Sequence, residues 1–477
     1  MCFIFKRWLK ISNLSVVITF FIATIFFLSG CTGTKVSSSV KMPPVTAFVG
    51  ATLIDGVGTQ PVLNAVVLVQ GEKIYKVGTK ANVEIPKHAT VIDVSGKWIV
   101  PGLVDSHVHF MESGRIYTKP HSYDLTHLVP YEQEVEWAKN RVPITLQSYL
   151  CAGVTSAISV GGPKFEFDVR DRAKTMLNAP NVFVAGKILN TVSNDLAPLF
   201  DGHQSTYRVT DAESVIAGIK QNKDLGADLI KTLYISESSK LDSDVHKHII
   251  SEAHRMGVKV TTHGLDIEAG RTLINLGVDS LQHVALDAIY DDAFIALAKR
   301  TDTVIVPTLA VWPRSMVEPP GKSYKLLDIE KRCGDPEVIK SWYEVDNVPS
   351  LTPDFLSKLA VQISIMNKSV QRLNEAGVPL AAGSDAGNPG LVHGASLHYE
   401  LKLMGEQGIA PMDLIKAATL NSARVAGKED LVGSIEPGKL ADLLILTADP
   451  LSDISNLQAI DAVIKSGNIF SQSELLL

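Results

Sequence analysis

The sequence predicts an α/β protein: a (β/α)8 TIM barrel carrying a small β-sandwich domain formed by both ends of the mature chain. Three observations predict it. From about Pro101 to Gly427, short apolar runs alternate with amphipathic helical stretches. The runs are VTSAISV, NVFVAG, LIKTLYI, VKVTTHG, DSLQHV, TVIVPTL and VPLAAGSD, and stretches such as DAESVIAGIKQNKDLG and IEAGRTLINLG separate them. The separators carry apolar residues three and four apart, the helical period, and such alternation implies parallel strands joined by crossover helices. Second, both flanks have another texture. AFVGATLIDG, AVVLVQGEKIYKVG and ATVIDVSGKWIV near the start, and GSIEPGKLADLLILTADP and DAVIKSGNIF near the end, are Val- and Ile-rich runs broken by Gly, Asp and Asn. Third, no GxGxxG or GxxxxGK[ST] phosphate loop is present, which makes a doubly wound sheet the weaker alternative.

The elements follow in order. Residues 1–10 carry Lys6, Arg7 and Lys10 and no acid, and an apolar run from Leu14 to Phe27 follows. The run is short for a membrane span, which needs roughly 20 apolar residues, and fits the core of a signal peptide. It ends in Leu28-Ser29-Gly30-Cys31, similar to a bacterial lipobox, in which the cysteine is lipidated and becomes the new N-terminus. An uncleaved anchor helix is the alternative. Thr32 in place of an Asp favours the outer membrane in a diderm bacterium; in a monoderm the address is the cell surface. The expected organisation is a signal peptide over 1–30, a Ser/Thr/Pro-rich tether over 31–45 and the first part of the sandwich over 46–100. The barrel is expected over 101–433 and the rest of the sandwich over 434–477. Residues 110–145 and 310–360 are longer and more polar than barrel loops require and are expected to be active-site insertions or lids.

Composition excludes more than it assigns. The 477 residues hold 45 basic and 51 acidic side chains, a net charge of −6, with no basic block to offset phosphate repulsion, so nucleic acid is not an expected partner. Four cysteines are too few for a disulfide framework and none has zinc-finger spacing. Cys151 and Cys333 lack His or acidic neighbours in sequence and are expected to be buried thiols. Nothing in the sequence specifies an oligomeric state.

The chemistry is carried by His107-Val108-His109, which follows the apolar run WIVPGLVDS. Residues i and i+2 of a strand point the same way, so two imidazoles can grip one ion. His263 ends VKVTTHG, His283 ends DSLQHV and Asp385 ends VPLAAGSD. Each alone is more often structural. Together they recur at one position of the strand–helix unit, the end at which a barrel opens its active face, and they are ligand types that borderline divalent ions accept.

With these residues in place, the chain resembles the amidohydrolase superfamily, within it the imidazolonepropionase-like and Xaa-Pro dipeptidase-like branch. The matching stretches are IVPGLVDSHVHF, GADLIKTL, THGLDIEAGRTLINLGVDSLQH, LAAGSDAG, AATLNSARVAG and GSIEPGKLADLLIL, running from about Ala47 to Phe470. The resemblance implies a barrel flanked by a sandwich, and two divalent ions, expected to be zinc. It places His107 and His109 on the buried ion and His263 and His283 on the second. Lys231, in GADLIKTL, falls where binuclear members carry a carboxylated lysine bridging both ions; a snorkelling or salt-bridged lysine is the ordinary alternative. Mononuclear members, the imidazolone-ring hydrolases among them, lack that lysine. Asp385 would be both a ligand of the first ion and the catalytic residue, passing the proton of the attacking hydroxide to the leaving nitrogen.

The implied activity is hydrolysis of a C–N amide in a small or short-peptide substrate, a dipeptide or N-acyl amino acid. The alternatives are hydrolysis of cyclic amides, lactones or organophosphate-like esters on the same ions, and, more remotely, a non-catalytic surface lipoprotein. Candidate substrate contacts are Tyr234, just past Lys231; His203, in DGHQ where relatives often read GGHG; Arg208, equally a solvated loop residue; and His393, at the expected pocket mouth. His88, His246, His248, His254 and His398 are expected to be structural.

Overall fold

The computed structural model describes residues 43–118, 124–191, 205–233, 240–317, 324–345 and 352–477. The signal segment, Cys31, most of the tether, His203 and Tyr234 lie outside the described residues. In chain order the strands are β1 (Val45–Val49), β2 (Thr52–Leu53), β3 (Ala65–Gln70), β4 (Lys73–Thr79), β5 (Thr90–Asp93), β6 (Trp98–Pro101), β7 (Leu103–Val108), β8 (Val154–Ser159) and β9 (Asn181–Val184). They continue with β10 (Ile188–Asn190), β11 (Thr206–Arg208), β12 (Leu229–Leu233), β13 (Lys259–His263), β14 (Ser280–Gln282), β15 (Val304–Val306), β16 (Leu443–Leu446), β17 (Ile460–Lys465) and β18 (Asn468–Ser471).

Two sheets form the sandwich, in the orders β4-β3-β1-β5 and β18-β17-β16-β6-β2. The second sheet joins both ends of the chain, because β16 pairs antiparallel with β6, with Ile445 opposite Ile99. Side chains of a strand alternate between faces, and β3 uses both. Ala65, Val67 and Val69 join Phe48, Ile99, Leu443 and Ile464 in the core between the sheets. Val66 and Leu68 pack on the other side with Ala47, Val49 and Val83.

The barrel strands are parallel. β7, β8 and β9 are neighbours, and β10, β12, β13, β14 and β15 continue the order. The Asp228 amide, just ahead of β12, donates to Val184 O of β9, so β9 and β10 act as two parts of one bent position. The last position is residues 380–386. The Ala381 amide donates to Ile305 O, the Ser106 amide to Ala382 O and the Asp385 amide to His107 O, tying that segment to β15 on one side and β7 on the other. Apolar strands and the inner faces of the helices share one large core. Local sequence sets the helix ends: Asp211, Asp266 and Asp291 each accept a backbone N–H of the first helical turn, and Gly277, at φ 91°, stops the helix Ile267–Leu276.

Two expectations change. Cys151 and Cys333 are buried, but they are bonded to each other, joining the C-termini of the helices Tyr131–Cys151 and Asp328–Cys333. The pair is 182 residues apart in sequence, so no local spacing could announce it. And residues 110–145 are not wholly an insertion, because from Tyr131 the chain is already the helix that follows β7. Among the described residues, no helix is long and apolar enough to cross a membrane.

Candidate metal centre

β6 runs into β7 through Gly102, where a Cβ would sit 2.1 Å from Thr155 Oγ1 of the neighbouring strand, so only glycine permits the approach. β7 then delivers His107, fully buried, and His109, half-buried one residue past its end. Their Nε2 atoms lie 3.4 and 3.7 Å from Asp385 Oδ1. The outer nitrogens have set tautomers. His109 Nδ1 donates to Gly161 O (2.8 Å), and His107 Nδ1 donates to Gln282 Oε1 (2.7 Å). The Gln282 amide is itself oriented by donating from Nε2 to Thr261 Oγ1. Both rings therefore turn an Nε2 lone pair toward the carboxylate, as outer-sphere partners do for metal-binding histidines.

His283 follows β14, its ring centroid 4.9 Å from that of His107 and 4.3 Å from that of His263, which ends β13. Its Nδ1 donates to Thr308 Oγ1 (2.6 Å), whose own proton goes to Pro307 O. His283, Thr308 and Asp385 all hold left-handed backbone, at φ 69°, 49° and 57°. Such residues cost of order 1–3 kcal/mol each and cluster at functional sites.

Lys231 stands in the middle of β12, 2% exposed. Burial lowers its ammonium to about 7, against the opposing pull of Asp385. Burial likewise holds His107 and His283 well below the ordinary imidazole range; Lys231, His109 and His263 add to it for His107, and His263, His107, Lys231 and His109 for His283. These rings are neutral at pH 7 and retain ligand lone pairs. Asp385 is raised to about 7 by burial, a shift that Lys231 opposes and Asp105 reinforces.

One ligand atom each from His107, His109 and Asp385 lies within 4.8 Å of the others. Nitrogen and oxygen ligands about 2.0–2.2 Å from a common ion lie within roughly 4.4 Å of one another, so a small contraction suffices. The donor set fits a divalent cation. Of the six residues expected as ligands, His107, His109 and Asp385 form this cluster; His283 stands against His107 and His263, and Lys231 interacts electrostatically with His107, His283 and Asp385.

The substrate candidates fare differently. Arg208 is exposed at the end of β11, the edge neighbour of β10. His393 does not line the pocket mouth. Its loop turns inward at Gly394 (φ 77°), its Nε2 donates to Glu112 O, and its Nδ1 accepts from the Tyr149 hydroxyl. It stacks on Phe110, and burial lowers it to about 4. His398 and His246 are buried and bonded to backbone carbonyls. Sequence reasoning missed the acids around the site. Asp105 takes the amides of Ser384 and His107 and the Ser384 hydroxyl; Glu166 takes the amides of Phe110 and Met111 and the Ser159 hydroxyl. Asp105 beside the HxH pair was the one available signal; Glu166 and Glu112 lie in unpatterned sequence.

Comparison with known proteins agrees with this architecture. Residues 98–470 match the model of the amidohydrolase family, and the chain belongs to that family. A 103-residue stretch is 38% identical to imidazolonepropionase from Geobacillus kaustophilus (strain HTA426), covering 21% of this chain and 24% of that protein. Imidazolonepropionase from Fusobacterium nucleatum subsp. nucleatum is 22% identical over 440 residues, 85% of this chain and 91% of that one. The crystal structure of a Xaa-Pro dipeptidase with methionine bound in its active site superposes with a TM-score of 0.67 at 25% identity, covering 90% of this chain and all of that one.

Proposed function

For this member of the amidohydrolase family, a hydrolase, we propose a binuclear, zinc-dependent enzyme that cleaves the C–N amide of a dipeptide or N-acyl amino acid. The observation that carries the reading is Lys231: a buried amine that interacts electrostatically with His107, His283 and Asp385, lowered to about 7, so that a large share is neutral near pH 7 and able to take up CO2 as a carbamate. Carboxylation would turn a buried cation that repels ions into an anion able to help hold them. His107, His109 and Asp385 would hold one ion and His263 and His283 the other. Bound there, the ions acidify a water to a pKa near 7 and polarise the scissile carbonyl. Asp385 Oδ1, beside both Nε2 atoms, accepts the water's proton and returns it to the leaving nitrogen, general base and then general acid. Asn388 Nδ2 holds that carboxylate in place by donating to Oδ1.

Metal analysis after purification in zinc, with turnover of a panel of dipeptides and N-acyl amino acids beside lactones and cyclic amides, tests the reading. About two ions per chain and turnover of a carboxylate-bearing amide support it; no turnover of any such amide overturns it. A second reading, hydrolysis of a cyclic amide, is favoured by the relatives named imidazolonepropionase, and the same panel decides it.

The proposed address is the cell envelope, with a lipid on Cys31. The Cys151–Cys333 bond supports export, because disulfides persist in oxidising compartments. Cys31→Ser is expected to release the protein from the membrane fraction; retention there overturns the anchor.

A further inference from the structure

We infer that Glu112 receives the free α-ammonium group of the substrate beside the metal centre, making the enzyme selective for unblocked dipeptides; the inference rests on the hydrolase reading above. Four acids outside the ligand set are buried near the site: Asp105, Glu166, Glu400, whose Oε2 accepts the Ala310 amide, and Glu112. Asp105 and Glu166 each accept three hydrogen bonds from the protein. Glu112 is 4% exposed, and its buried Oε2 has no hydrogen-bond partner.

The chain holds this carboxyl deliberately. The Glu112 amide donates to His109 O (3.2 Å), and its carbonyl accepts from His393 Nε2 (2.8 Å), whose other nitrogen is bonded to Tyr149. Its Cβ lies where a side chain at position 387 would collide, 2.8 Å from a Cβ built there; Gly387, at φ 113°, makes the room. Glu112 is thus pinned between His109, a ligand, and the loop that starts at Asp385. The carboxyl also feels repulsion from Asp385 and Glu166 on top of burial. Burying an acid without donors is costly, and packing alone has no use for it.

What the position lacks is a cation with N–H donors. In a dipeptide the α-amino group is attached to the carbon next to the scissile carbonyl. A group that recognises it must therefore lie beside the ligands, and Glu112 does: its amide is bonded to His109 O, its Cβ fills the room left by Gly387, and the Asp385 charge acts on its carboxyl. An acyl cap on that nitrogen removes the charge and two donors. Lysine side chains and C-terminal carboxylates do not fit: the first lies farther from the reacting bond, and the second has the wrong sign. His393 is a positioning residue for this group.

The test uses the zinc-loaded full chain with free dipeptides and the same dipeptides N-acetylated. Glu112→Gln is expected to lower kcat/KM for free dipeptides about tenfold to a hundredfold, chiefly through KM, the range for a hydrogen bond to a charged group. Turnover of the acetylated series should stay within about twofold, at unchanged metal content and with no loss in Tm. Glu112→Asp, which keeps the carboxyl group, should recover part of the preference. An equal fall on both series, or no fall on either, overturns the assignment. A wild-type enzyme that accepts only acylated substrates overturns it while leaving the hydrolase reading intact; one that accepts neither series overturns both.

Discussion

Four of the buried acids around this site fall into two kinds. Asp105 and Glu166 are wrapped in protein donors, yet burial still raises each to about 7 against the pull of those hydrogen bonds. Asp385 and Glu112 are as deeply buried and far less provided for. Asp385 has Asn388 and two histidine edges; the Oε2 of Glu112 has nothing. The difference teaches which acids hold the scaffold and which wait for a ligand. Asp105 links the last barrel segment to β7 by binding Ser384 and the His107 amide, so it sets the distance between His107 and Asp385, two of the proposed ligands, without being one. Removing a scaffold acid should therefore damage stability, and removing a waiting acid should damage function.

The contrast is sharpest at Asp385. Asp385→Asn keeps the shape, and the expected outcome is a fall in kcat of about 10²–10⁴, the usual contribution of a general acid–base, with the protein still folded and part of its metal retained. Near wild-type kcat in that variant would remove Asp385 from the proton pathway. Lys231→Met, similar in length and unable to form a carbamate, should lower the bound metal from about two ions to about one or none, read by elemental analysis. Unchanged stoichiometry would make Lys231 an ordinary buried amine. On the scaffold side, Asp105→Ala strands two amides and a hydroxyl. Each unmet buried donor costs about 1–3 kcal/mol, so thermal denaturation should show a drop of several degrees in Tm. If Asp105→Ala were as stable as wild type, the two-kind distinction would collapse.

Smaller effects test the surroundings. Cys151→Ser with Cys333→Ser reopens a loop of 182 residues and should cost about 2–5 kcal/mol, read as a lower Tm that added reductant no longer changes. Glu400 gives the pH arm. Its Oε2 accepts the Ala310 amide, and burial raises its carboxyl to about 8. The folded protein then keeps a proton that the unfolded chain releases near pH 4.5, so the stabilisation is complete below that value and is lost as pH rises toward 8. Between about pH 5 and pH 8 Glu400 should contribute a fall of up to about 1.4 kcal/mol for each pH unit. That adds to the fall from the other raised acids, Asp105, Glu166 and Asp385, and Glu400→Gln should make the fall in Tm shallower by its share. A profile identical to wild type would show that another group titrates.

Much of this site is legible in the sequence alone. HVH after an apolar strand, and His263, His283 and Asp385 each closing a later strand, share one rule: the C-terminal ends of parallel strands face a single opening. Lys231 is legible only through resemblance, since a lysine inside a strand has no pattern of its own. His393 is misplaced by its sequence context, which shows a loop histidine after the last strand but not the inward turn that buries it on Phe110. Cys151 and Cys333 read as separate thiols because pairing across 182 residues has no local signature.

By itself, then, the sequence determined the local events: which runs become strands or helices, where Asp caps and Gly stops, and which residue types reach the strand ends. Periodicity, capping and turn chemistry act over a few residues and need no distant partner. Only the tertiary structure decided the rest: the Nδ1 tautomers of His107 and His283, the meeting of two cysteines, and the division of the buried acids into satisfied and waiting. Each depends on groups contributed by segments far apart in the chain, whose distances exist only once the barrel has folded.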